Sequence, residues 1–134
     1  MKRMLIVEDD VITQNVMRKI FQSDYQIDLC ESAEEYYDKH SSTKYDIIIM
    51  DISIKGNKHG LDLMKEIKES PTYDGIPIIC LTAHAQMKTR QAAMESGADL
   101  FLTKPVFNKM LKEAVTALIM REEEKAEGIN RKNS

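Results

Sequence analysis

The sequence predicts an α/β domain built on a doubly wound parallel sheet, and three observations carry that prediction. Short apolar runs alternate with amphipathic stretches along all 134 residues. Two of the runs, Ile47-Ile48-Ile49-Met50 and Ile78-Ile79-Cys80-Leu81, are apolar without a break, as strands covered on both faces must be. Acidic, hydroxyl and basic residues fall just beyond these runs, at the strand ends where such folds place their sites.

Taken in order, residues 2–7 form a strand and 12–21 a helix with Ile12, Val16 and Ile20 on one face. Residues 25–30 alternate Tyr25, Ile27 and Leu29 as a second strand. Ser32 with Glu35 reads as a capping box that opens a helix toward His40. A third strand covers 45–50, and a glycine-containing loop, 53–60, follows it. The third helix, 61–69, stops before Pro71. A fourth strand covers 76–81, and a fourth helix, 86–96, ends at Gly97 as its C′ residue. A short fifth strand covers 99–102. The last helix runs from Val106 to about Lys125, with Phe107, Met110, Leu111, Ala114, Val115 and Leu118 inward. The domain is expected over 1–125, with a polar tail over 126–134. Five such βα units joined by right-handed crossovers give a parallel sheet with helices on both sides.

Composition narrows the function. A formal charge of −3 and a pI near 5.6 speak against a nucleic-acid binder. No apolar run reaches the roughly 20 residues that span a bilayer. The N-terminus meets acid too early for a signal peptide. Cys30 and Cys80 sit in strand segments and read as buried free thiols in a reducing cytoplasm. The nine methionines are scattered as core filler. His40 and His59 are isolated and read as exposed.

The residues beyond the strands carry the chemistry. Glu8, Asp9 and Asp10 follow the first strand, Asp51 the third, Thr82 the fourth, and Lys104 with Pro105 the fifth. The second strand contributes none, which suits an edge position. Singly, each has a bland reading: acids solvate loops, hydroxyls cap helices, lysines solvate surfaces. Together, at four strand ends that a parallel sheet brings into one crevice, they suit a single reaction. Clustered carboxylates recruit a cation, and oxygen ligands without His or Cys suit Mg²⁺, which often completes its shell with a phosphate oxygen. A carboxylate beside such a metal can take a phosphoryl group as an acyl phosphate. An ammonium and a hydroxyl would steady the charge on the transferring group.

Four segments, Leu5-Ile6-Val7-Glu8-Asp9-Asp10, Asp46-Ile47-Ile48-Ile49-Met50-Asp51-Ile52, Ile78-Ile79-Cys80-Leu81-Thr82-Ala83 and Leu102-Thr103-Lys104-Pro105, resemble those of response-regulator receiver domains of the chemotaxis-regulator type. The match covers roughly residues 2 to 120. The resemblance implies a flavodoxin-like, three-layer fold with five helices and strand order 2-1-3-4-5, an example the general rule for such sheets already includes. It implies that Asp51 is the phosphoacceptor. Mg²⁺, with Mn²⁺ as a substitute, would be held by Asp10 and Asp51, by Asp9 directly or through water, and by the backbone carbonyl of Ser53. Thr82 and Lys104 would close on the phosphoryl group. Phe101 would be the switch aromatic, already inward in part in the free protein, and Pro105 would be cis. Ser53 and His84 would tune the phosphoryl lifetime. The stretch from Ser53 to Gly60 departs from the common Met-Pro-Gly pattern, with no proline and an extra residue.

The implied function is that of a cytoplasmic two-component switch. It takes a phosphoryl group from a sensor histidine kinase or histidine phosphotransfer protein. It then presents a changed face, built from the fourth helix, fifth strand and fifth helix, to a downstream effector, with no nucleic-acid or membrane partner. It would catalyse only its own phosphorylation and dephosphorylation. Met1 directly before the first strand suits a stand-alone or N-terminal receiver. Two other classes compete with this reading. A phosphohydrolase of haloacid-dehalogenase type needs an acid two residues after its nucleophile, where this chain has Ser53. A flavodoxin-like cofactor binder needs a phosphate loop where Glu8-Asp9-Asp10 would repel phosphate.

Overall fold

The elements run β1 (Lys2–Val7), α1 (Val11–Phe21), β2 (Tyr25–Cys30), α2 (Ala33–Glu35) with a π-helical turn Tyr36–His40, β3 (Ile47–Met50), α3 (Gly60–Glu69), β4 (Ile78–Thr82), α4 (Met87–Glu95), β5 (Leu100–Thr103) and α5 (Asn108–Asn133). This computed structural model describes residues 1–54, 56, 59–83 and 86–133, with side chains as far as Gly128. The strands form one sheet in the order β2-β1-β3-β4-β5, and every pairing is parallel.

The period-2 alternation of a strand divides the core into two layers. Leu5, Val7, Ile48, Met50, Ile78, Cys80 and Phe101 face α2, α3 and α4, packing on Ala33, Leu63, Met64, Ile67 and Ala93. Met4, Ile6, Ile47, Ile49, Ile79 and Leu81 face the other way, onto Met17 and Phe21 of α1 and Leu111, Val115, Leu118 and Ile119 of α5. The three central strands are buried on both sides, whereas β2 at the edge is only half-buried along most of its length.

Local signals set most boundaries. Ser32 Oγ accepts from the Glu35 N–H at 3.1 Å. The Glu35 carboxylate reaches the N–H of Glu31 at 3.2 Å rather than that of Ser32, so the capping box is only half closed. Gly97, at φ 111°, takes the left-handed C′ position after α4.

Three packing expectations need correction. Of the stripe on α1, Ile12 and Val16 face outward at 74% and 49% exposure while Ile20 packs half-buried against the core, and the helix buries Gln14, Met17 and Phe21. The Gln14 amide donates to the Glu8 carbonyl at 2.6 Å and fixes that rotation. α5 begins at Asn108, so Phe107 lies before the helix at 82% exposure. Met110 is half exposed, and the helix continues past residue 125 through the expected polar tail. His40 is buried, its Nδ1 3.0 Å from the Tyr45 hydroxyl, which donates to Asp28 at 2.7 Å.

Candidate functional site

Strand register assembles the site. β1 and β3 pair Ile6 with Ile49 and Val7 with Met50. One further step brings Glu8 level with Asp51, both on the α1/α5 side of the sheet. β4 and β5 pair Thr82 with Thr103, and one step beyond stands Lys104, whose N–H donates to the Thr82 carbonyl at 2.8 Å. The crevice therefore opens where β1 and β3 diverge to opposite halves of the sheet.

Lys104 ties the site together. Its Nζ donates to Glu8 Oε1 at 2.6 Å and to Asp51 Oδ2 at 2.9 Å. Asp51 Oδ1 accepts from the Ser53 N–H at 2.9 Å, and Glu8 Oε2 from the Asp9 N–H at 3.0 Å. Glu8 is 4% and Asp51 8% exposed, and Thr82 is fully buried. Burial and the neighbouring Asp51 charge push the Glu8 carboxyl above its ordinary range, against the pull of Lys104. Burial would lower the Lys104 ammonium, but its bonds to Asp51 and Glu8 outweigh that and raise it. Two buried carboxylates against one ammonium leave surplus negative charge beside a recess of about 10 Å³, lined by Glu8, Asp51 and Lys104, the room of one water.

The structure redistributes the acidic trio. Asp10, expected to hold the metal with Asp51, is the N-cap of α1. Its Oδ2 accepts from the Thr13 N–H at 2.8 Å and the Thr13 hydroxyl at 2.6 Å, and those bonds lower its pKa. The carboxylate brought against Lys104 and Asp51 is Glu8, which sequence reasoning left without a role. Strand alternation carried the signal: Met4, Ile6 and Glu8 share a parity, and the Asp10-x-x-Thr13 spacing is that of a cap. Asp9 is half-buried between them.

Gly60 was also missed. Its N–H donates to the Ile52 carbonyl at 3.0 Å. A Cβ there would meet the Asp51 carbonyl oxygen at 2.5 Å and Ile52 Cα at 2.6 Å, so only glycine lets α3 start against the Asp51 loop. Phe101 is inward at 5% exposure, with the Arg90 guanidinium 6.0 Å from its ring centroid. The Lys104–Pro105 bond is cis. His84 lies outside the described residues.

The fold and crevice define a class: an α/β switch with an aspartate–lysine centre at the carboxyl edge of its sheet. The chain belongs to the response regulator receiver domain family, which it matches over residues 4–116, and is a receiver domain of two-component signalling. It is 30% identical over 120 residues to the regulatory protein VanRB of Enterococcus faecalis, covering 89% of this chain and 53% of that protein. It is similar to the receiver domain of a signal transduction histidine kinase from Syntrophus aciditrophicus, at TM-score 0.81 and 29% identity over 90% of this chain and 91% of that one. The receiver domain of a sensor histidine kinase from Pseudomonas aeruginosa, solved with magnesium in its active-site cleft, matches at TM-score 0.79 and 26% identity over 88% of this chain and 97% of that one. The chain spans about half the length, or less, of the curated relatives it matches. No helix among the described residues is long and apolar enough to cross a membrane. Neither the phosphohydrolase nor the flavodoxin-like reading gains support.

Proposed function

We propose that Asp51 accepts a phosphoryl group from the phosphohistidine of a sensor histidine kinase or histidine phosphotransfer protein. The observation that carries this is the Lys104 ammonium held between Asp51 and Glu8. An Asp51 oxygen forms the new P–O bond while the P–N bond to the donor imidazole breaks, and the imidazole keeps the electron pair. Lys104 stays bonded at the acceptor and offsets charge on the equatorial oxygens. The Ser53 N–H fixes the rotation of the Asp51 carboxylate.

The surplus charge and the oxygen-only donors fit a hard divalent cation. Mg²⁺ is such an ion, and it keeps several waters when bound by a few protein oxygens. Glu8, Asp9, Asp51 and the Ser53 carbonyl would hold it, with Mn²⁺ able to replace it on the same donors. Bound there, it would neutralise charge on the attacking carboxylate and the phosphoryl oxygens.

Phosphorylation adds about 1.5 to 2 negative charges at neutral pH, by analogy with other phosphorylated side chains. Thr82 moves toward that charge and biases Phe101 and α4. α4 is lightly held, with Ala93 its one fully buried residue. Met87 and Met94, 83% and 45% exposed and seven residues apart, share its outer face, so α4, β5 and α5 form the effector face. Ser53 and His84 set the lifetime. The protein acts in the cytoplasm, catalyses only its own phosphorylation and dephosphorylation, and has no nucleic-acid or membrane partner. The receiver extends over 1–125, with 126–134 an appendage.

Acetyl phosphate with Mg²⁺ should add one hydroxylamine-sensitive phosphoryl group, and Asp51→Asn should take none. A hydroxylamine-resistant adduct on Ser or Thr would overturn the assignment.

A further inference from the structure

A cavity lies at the end of the sheet opposite Asp51. It is enclosed by the π-helical turn after α2, the chain entering β3, the end of α3 and the chain entering β4, and its volume is about 500 Å³. That is ample for a small molecule. Four of the five tyrosines line it: Tyr36, Tyr37, Tyr45 and Tyr73. Ile48, Ile67 and Ile76 close its inner side. π-helical turns recur at functional sites, and this one supplies two of the tyrosines.

Three of those phenols have already committed their protons. Tyr37 donates to Glu66, Tyr45 to Asp28, and Tyr73 to the Ile76 carbonyl. Their hydroxyls are therefore not free to donate into the cavity, and the rings that line it offer electron-rich surface, which suits a cation. The Lys68 ammonium donates to the Tyr73 hydroxyl at 2.8 Å, so that hydroxyl is engaged on both sides. Charge agrees: the lining carries two carboxylates, Glu66 and Asp74, against one cation, Lys44.

We propose that this cavity is a second ligand site, separate from the phosphoacceptor crevice, and that it takes a small organic ammonium with an apolar or aromatic body. The body packs on the isoleucines, and the ammonium lies against the tyrosine faces near Glu66. Nothing in this depends on Asp51 chemistry, so the two assignments stand or fall separately.

The chain has no tryptophan, so its tyrosine fluorescence reports chiefly on this cavity. The intact protein is titrated with 2-phenylethylamine (protonated at neutral pH), with 2-phenylethanol and with phenylacetate, followed by that fluorescence and by amide NMR. The ammonium should saturate, with shifts centred on residues 36–48 and 66–76. The alcohol should bind about tenfold more weakly, the scale of a desolvated cation–π contact, and phenylacetate should not saturate. Glu66→Gln, a partly exposed position that the fold tolerates, should shrink the gap between amine and alcohol to a few-fold. Equal binding of amine and alcohol, preference for phenylacetate, shifts centred elsewhere, absence of saturation by the amine, or an unchanged gap in Glu66→Gln would each overturn the proposal.

Discussion

Gly60→Ala tests how the Asp51 loop is positioned. The added methyl carbon would stand 2.5 Å from the Asp51 carbonyl oxygen and 2.6 Å from Ile52 Cα, both backbone atoms that cannot rotate away. Ordinary contact begins near 3.4 Å, so α3 and the loop must separate by roughly 1 Å in an interior with no slack. Such overpacking costs about 1–3 kcal/mol. In a domain of this size that lowers Tm by about 4–12 °C. The displaced loop carries Asp51 and the Ser53 N–H that orients it, so phosphorylation by acetyl phosphate should slow by roughly ten- to a hundredfold. Gly128→Ala is the control: nothing lies within 4 Å of its Cβ, and it sits in α5. It should cost nothing and gain up to about 1 kcal/mol from helix propensity. Thermal denaturation and phosphorylation kinetics of the two variants check this. If Gly60→Ala melts with the wild type and is phosphorylated at the same rate, the close-approach argument is wrong.

The acidic trio separates in the same phosphorylation assay: Asp9→Asn and Glu8→Gln should lose roughly tenfold or more in Mg²⁺ affinity, while Asp10→Asn, still a good N-cap, should be phosphorylated like wild type. Loss of phosphorylation in Asp10→Asn would return that residue to the metal site. Burial alone would raise Asp99, but the Ile78 N–H, Lys68 and Arg121 outweigh it and hold the carboxyl below its ordinary 3.8. Its contribution is therefore present above about pH 4 and lost as pH falls through the folded value. Asp99→Asn should cost about 1–2 kcal/mol at neutral pH, allowing for its half-exposed partners, and flatten the acid limb of the stability curve; an acid limb as steep as wild type would contradict this. A beryllofluoride phosphoryl mimic should shift amides from Gln86 to Leu102, and shifts confined to the Asp51 loop would exclude the Phe101 mechanism.

How much was legible follows from the range of the interactions. The strands were legible because burial on both faces leaves few compositions possible, and the runs Ile47–Met50 and Ile78–Leu81 meet that demand locally. Asp51 and Thr82 were placed because a residue at the end of a central parallel strand has only one place to go, and Lys104 because it follows β5, which pairs in register with β4. The rotation of α1 was not legible. Ile12, Val16 and Ile20 form as regular a stripe as Met17 and Phe21 with Gln14, and the choice is made by the bond from Gln14 to the Glu8 carbonyl, at the far side of a turn. The start of α5 at Asn108, which leaves Phe107 in solvent, likewise follows no local apolar period. Glu8 lies between these cases. Three consecutive acids offer three candidates, and composition cannot rank them. Counting parity back along β1 does, because it puts Glu8 on the same side as Ile6 and hands Asp10 to the helix. The strand reading thus already contained the assignment of the acid that faces Asp51. A strand's alternation should be carried one residue past its end before ligands are chosen.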